Sequence, residues 1–192
     1  MPGALPVESA PKEICRFVEN QIEEPMILSK PKLEQRPAQY YAAIRTAVPI
    51  PFGKYLVPLW DEVFGWLKDR GVTPSGPSII RYLTTDMSKK LDIDVGFTLD
   101  AAIPGDERVS VDFLPAGRYA TLLYTGPYKG KGAFNATVAL LEWAQANNIA
   151  WSVSQKDGVE WWNGRTEFYL TDPDLEHDTK KYQTELAFLT RS

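Results

Sequence analysis

The chain has 192 residues, 44% hydrophobic and 24% charged, which fits one globular domain or two small ones and excludes wholesale disorder. Acidic residues number 25 against 21 basic, a net charge of −4 without a basic block, which argues against a nucleic-acid surface. No apolar run reaches the length of a membrane span, and Cys15, the single cysteine, excludes an internal disulfide. His177 is the single histidine, so a His/Cys metal site is not expected, and no cofactor motif stands in its place. Aromatic residues reach 12%, with six Trp.

Residues 1–30 read as an extension. They hold Pro2, Pro6, Pro11 and Pro25, and Ile14, Phe17, Val18 and Ile22 fall at the spacing of a short docking helix. The opening MPGALPVESAPKE lacks the basic start and apolar core of a secretory leader, so a cytoplasmic location is expected. Two DNA-binding helices with a positive face are not discernible there, and the chain reads as a stand-alone domain.

From Pro31 the periods change. Ala38–Val48 alternates and is rich in Tyr and Ile, predicting a strand. Leu56, Leu59, Trp60, Val63, Phe64 and Leu67 form a helical stripe that ends at Gly71. Ser78–Leu83 and Leu91–Asp100 read as strands around a polar turn at Thr84–Lys90. The order then recurs: strand Gly117–Thr125, helix Lys131–Asn147 with Phe134, Val138, Leu141 and Ala144 inward, strand Val159–Thr171, a turn, and strand Tyr182–Thr190. The halves also match in letters: Pro37 to Ala42 parallels Pro115 to Ala120, Arg81-Tyr82-Leu83 parallels Phe168-Tyr169-Leu170, and Asp94 to Phe97 parallels Glu185 to Phe188.

The expected fold is therefore α+β. Two strand–helix–strand–strand repeats, about 31–100 and 115–192, are related by a pseudo-twofold and joined by Ala101–Pro115. Their helices lie on one face of an antiparallel sheet, and the junction of the repeats is a natural place for a ligand cleft.

Alternation along the strands isolates a second sheet face. Glu167 and Tyr169 alternate with Phe168 and Leu170, Glu185 and Ala187 with Leu186 and Phe188, and Asp94 and Gly96 with Ile93 and Val95. If the apolar sets cover the helices, the opposite face carries Glu167, Tyr169, Glu185 and Asp94, with Gly96 and Ala187 leaving room for a ligand. A solvated sheet face is the plainer alternative. Trp60 reads as core, and Trp151 as a plug at the sheet end. Trp66 and Trp143 lie off their helices' inward faces and could rim a cleft. Trp161 and Trp162 point to opposite sides: a regular strand groups Trp161 with Glu167, and a bulge at Gly164 would reverse that. Aromatic faces attract cations, and a buried acid can bind a ligand's charge or act as a general acid or base.

Several motifs resemble the GyrI-like family, the effector-binding domain also fused to AraC- and MerR-type regulators. They are Gly76-Pro77 with Arg81-Tyr82, Asp92-Ile93-Asp94-Val95-Gly96-Phe97, Pro115-Ala116-Gly117-Arg118-Tyr119-Ala120 and Gly126-Pro127-Tyr128. Glu167-Phe168-Tyr169-Leu170-Thr171-Asp172-Pro173 and Thr184-Glu185-Leu186 complete the set, spanning roughly Pro31–Arg191. The resemblance implies binding of lipophilic, often cationic, aromatic small molecules in a cleft with acids at Glu167 and Glu185. A tyrosine found in relatives two residues beyond the second acid is Ala187 here, implying a roomier pocket. The aromatic candidates are Tyr169, Trp161, Trp162, Trp66 and Trp143, joined by Tyr128 and Tyr40. Two alternatives come with the resemblance: a cofactor-free hydrolase of cyclopropane-type electrophiles directing water from Glu185 or Glu167, and a gyrase-interacting inhibitor with a protein partner.

Overall fold

The computed structural model describes residues 27–85 and 90–191. The docking-helix reading at 14–22 and most of the 1–30 extension fall outside them, as does the middle of the turn at Thr84–Lys90. Among the described residues, no helix is long and apolar enough to cross a membrane.

Among the described residues, ten strands form a single sheet: β1 (Ile27–Leu28), β2 (Lys32–Arg36), β3 (Gln39–Val48), β4 (Ser78–Thr84), β5 (Leu91–Leu99), β6 (Ser110–Leu114), β7 (Gly117–Thr125), β8 (Val153–Lys156), β9 (Val159–Tyr169) and β10 (Gln183–Leu189). The order is β1-β7-β10-β9-β4-β5-β3-β6, with β2 also on β7 and β8 on β9, and each of these pairings is antiparallel. Helix α1 (Leu56–Asp69) follows β3, and α2 (Gly132–Ala146) follows β7. The apolar spacing read for α1 is realised by Leu56, Val63 and Leu67, which are buried. Its end is a Schellman turn: Val72 N–H donates to the Leu67 carbonyl and Gly71 N–H to that of Lys68, with Gly71 at φ 67°.

The registers make the pseudo-twofold explicit. Ile44, Val95, Ile80, Glu167, Leu186 and Leu122 form one row across six strands, and the axis passes between Ile80 and Glu167. At a constant offset Tyr82 corresponds to Tyr169, and Ser78 to Arg165. Each half is thus strand–helix–strand–strand, as the letter repeats indicate.

Four strands escape the sequence reading: β1, β2, β6 and β8. β2 belongs to the first half but pairs with β7 of the second, and β6, inside the expected linker, pairs with β3 of the first. Only Pro37-Ala38 joins β2 to β3, a link that reaches about 11 Å at most. The sheet therefore curls until its two edges approach. Its concave side holds a core of Tyr41, Ala43, Ile79, Leu114, Tyr119, Phe168, Ala187 and Leu189.

The convex side carries the helices. α1 packs on β5 and β3, and α2 on β7 and β10, so β4 and β9 lie between them. The inward face of α2 is Ala136, Thr137, Leu140 and Ala144; of the expected stripe only Ala144 is buried, and Phe134 is 57% exposed. Small residues at 136 and 144 let this helix approach Leu122, Trp162 and Leu186 closely.

Candidate functional site

Along β9 the helix side carries Arg165, Glu167 and Tyr169, as the pairing of Glu167 with Leu186 and Ile80 requires. The β4–β9 register shifts between Tyr82 and Thr84, opposite Asn163 and Gly164. The bulged alternative for the Trp pair is therefore the one observed: Trp162 packs with Phe188 on the side of Arg165, while Trp161 lies near Lys156.

Glu167 is 5% exposed on the pseudo-twofold axis. Tyr82 Oη donates to its Oε1 at 2.9 Å and Tyr169 Oη to its Oε2 at 2.8 Å. Burial pushes the carboxyl above its ordinary range, opposed by these two hydroxyls and by Arg165. Burial and the adjacent carboxylate push both phenols well above theirs. Trp60, reaching over from α1, meets the Tyr169 ring edge-on at 5.0 Å, and Tyr128 meets it at 5.0 Å from the other side. Tyr128 precedes α2. It donates to the Thr171 carbonyl at 2.7 Å and stacks obliquely on Tyr182 at 4.6 Å. The acid thus sits below aromatic walls supplied by both helical flanks.

Arg165 lies at the other end of this row. Its guanidinium is 4.7 Å from the Trp162 and Phe188 ring centroids and 5.4 Å from that of Tyr82. Desolvation lowers its pKa, opposed by Tyr82, Glu167 and Glu160. Its Nε is buried without a hydrogen-bond partner, as is Thr184 Oγ1 across from Tyr169.

The concave face holds the remaining acids. Asp94 is fully buried and accepts from Tyr41 Oη at 2.9 Å and from Arg45 at 2.8 and 3.1 Å. Glu185 pairs with Arg36 at 2.7 Å, and Arg36 also holds Glu34. Beside Arg36 is a cavity of about 120 Å³ lined by Pro37, Gln39, Leu114, Tyr119 and Phe168.

The expected single face of acids is therefore two faces. Phe168, assumed to lie under a helix, points to the concave core, which places Glu167 and Tyr169 on the helix side and Glu185 and Asp94 on the other. Glu167 and Glu185 do not share a pocket. Nor is there ligand room at Gly96 or Ala187. A Cβ on Gly96 would stand 1.9 Å from the Ala42 carbonyl oxygen, and Ala187 is fully enclosed in the concave core. Of the aromatic candidates, Tyr169 reaches Glu167, Tyr128 meets the Tyr169 ring, and Trp162 stands beside Arg165. Trp66 is engaged elsewhere, donating to Asp106 at 2.5 Å and helping hold that carboxyl at about 2. Trp143 packs against the α2 core, and Tyr40 sits exposed against Phe113. Tyr82, Arg165 and Trp60 are the site residues that the sequence reading passed over. The repeat alignment of Tyr82 with Tyr169 was the available signal for the first, and shared strand parity with Glu167 for the second. Among the described residues, no group of three or more His, Cys, Asp or Glu side chains is placed to hold a metal ion.

The model of the family described as GyrI-like small molecule binding domain matches residues 29–189. A cryo-EM structure of an EcmrR–DNA complex superposes with TM-score 0.69 at 18% identity, covering 94% of this chain, which spans 64% of the EcmrR chain. The crystal structure of the EcmrR C-terminal domain gives 0.68 at 18% identity, covering 85% of this chain and 98% of that one. SAV2435 bound to tetraphenylphosphonium gives 0.55 at 14% identity, with coverage of 85% and 95%. At these identities the likeness is one of fold, and no curated protein matches the chain. With the family model spanning all but the ends of the described fold, this chain belongs to the GyrI-like small-molecule-binding domain family.

Proposed function

We propose that this domain binds lipophilic aromatic small molecules in the cleft between α1 and α2, above β4 and β9. The observation that carries the reading is the buried Glu167, held by Tyr82 and Tyr169 beneath the rings of Trp60 and Tyr128. Both rings meet that of Tyr169, so a ligand enters by replacing ring–ring contacts with contacts to its own ring, each contributing about 0.5–1.5 kcal/mol. The tetraphenylphosphonium held by SAV2435 supports an aromatic ligand for this fold. The lipophilic aromatic character expected from the sequence is kept.

The test is fluorescence titration with N-phenyl-1-naphthylamine, a neutral probe that brightens in apolar sites. Saturable binding, weakened about tenfold in Trp60→Ala (about 1.4 kcal/mol), is expected. Saturation that Trp60→Ala leaves unchanged, or no saturation at all, would count against the cleft.

A further inference from the structure

Three other arginines on the strands have carboxylate partners. Arg36 holds Glu34 and Glu185, Arg45 holds Asp94, and Arg81 holds Asp112. Arg165 differs. Among the described residues no hydrogen bond or ion pair joins its guanidinium to any group, although it can donate five N–H bonds. Three rings hold it instead, those of Tyr82, Trp162 and Phe188. Ring faces stabilise the charge but leave the in-plane N–H donors unanswered. The rings also fix where the donors stand: two residues from Glu167, on the same side of β9, at the floor between the helices.

The polar inventory of the cleft is therefore lopsided. Each Glu167 oxygen already accepts a phenol hydroxyl, and neither accepts from Arg165. What the cleft lacks is an acceptor. The acidic groups near Arg165 are Glu167 and the exposed Glu160. Glu160 is screened by solvent.

We infer that Arg165 makes this cleft selective for anionic aromatic ligands, ring systems bearing a carboxylate or sulfonate that receives its unpaired guanidinium donors. The inference rests on the cleft-binding reading and names the ligand class for it. A planar guanidinium matches a carboxylate or sulfonate with two parallel hydrogen bonds, and the surrounding rings match the ligand's apolar body. A lipophilic cation would meet the same rings with a like charge already seated among them.

The test uses two probes with one ring skeleton. N-phenyl-1-naphthylamine is neutral, and 8-anilinonaphthalene-1-sulfonate adds a sulfonate. A purely apolar site favours the neutral probe, because the sulfonate is better solvated by water. On the intact chain, fluorescence titration is expected to give a Kd for the sulfonate at least about tenfold lower than for the neutral probe. Arg165→Gln is expected to bring the two within about threefold, chiefly by weakening the sulfonate, and Arg165→Lys to retain part of the preference. Should the Gln variant not fold, Arg165→Met keeps the stem packed against the rings and takes its place. A wild-type protein that binds the neutral probe equally well or better overturns the inference while leaving cleft binding intact. So does a sulfonate preference that persists when the charge at 165 is removed. If neither probe saturates, the cleft-binding reading itself fails, and the inference with it.

Discussion

Replacing Tyr82 with Phe removes one hydroxyl and keeps the ring that lies against Arg165. That hydroxyl donates to Glu167 Oε1 at 2.9 Å in an enclosed position, so bulk water does not readily take its place. A hydrogen bond to a charged group contributes about 1.5–3 kcal/mol, and the orphaned oxygen keeps its desolvation penalty. Tyr82→Phe is therefore expected to destabilise the domain by about 2 kcal/mol at neutral pH. For a domain of this size that is a fall in Tm of roughly 4–8 °C. The assay is thermal and urea unfolding of the wild type, Tyr82→Phe, Glu167→Gln and the double variant. The cycle isolates the pair, with an expected coupling of about 1–2 kcal/mol. In acid, where Glu167 is protonated and one oxygen becomes a donor, the coupling should shrink. A single-variant loss below about 0.5 kcal/mol with additive effects in the cycle would refute the triad as the floor of the cleft.

Glu167 also sets a pH dependence. Its folded-state pKa is raised, so between the unfolded value and the folded one the native state holds a proton that the unfolded chain has lost. Stability contributed by that proton is complete below the unfolded pKa and falls as pH rises through the folded one. Glu167→Gln should remove this decline, and unfolding curves that keep the wild-type slope would show that another group causes it. On the concave face, Glu185→Gln breaks only a partly exposed ion pair with Arg36 and should cost no more than about 1 kcal/mol. It should leave the affinity for N-phenyl-1-naphthylamine unchanged, and a tenfold loss would place the ligand on the concave side.

Much of the fold is written locally, and the errors are where local pattern stops deciding. The spacing of Leu56, Val63 and Leu67 with Gly71 marks α1 because helix face and helix end are both short-range properties. β8 had a usable signal in Asp157-Gly158, whose φ values of 53° and 75° make a two-residue hairpin turn with β9. β2 and β6 had none. Each is a short strand, exposed in part, whose reason to exist is pairing with the other half of the chain. The face assignment failed for a related reason. Alternation in β5 does send Ile93 and Val95 toward α1, as assumed. In β9 the same assumption inverts, because neither helix packs squarely on that strand and its large apolar residue, Phe168, fills the concave core. Parity gives two sides of a strand; only register says which side is which.

The pseudo-twofold then separates what the fold requires from what this sequence adds. On the concave side Asp94 and Glu185 occupy corresponding positions, and each is matched by an arginine, Arg45 and Arg36. Acids that recur at equivalent positions with their own cations are accounted for by the scaffold. On the helix side the symmetry holds only for the phenols. Tyr82 and Tyr169 correspond, but the counterpart of Glu167 is Ile80 and the counterpart of Arg165 is Ser78. The first half shows that the axis position accepts an apolar side chain, so burying a carboxyl there is not demanded by packing, and a buried charge is commonly replaceable by a hydrophobe at no loss of stability. Two symmetric phenols converging on one asymmetric acid, with an unpaired guanidinium next to it, is an arrangement that makes the cleft polar at one point and directional along β9. Folding alone gives no reason for that direction; a ligand with an apolar body and one charged end does.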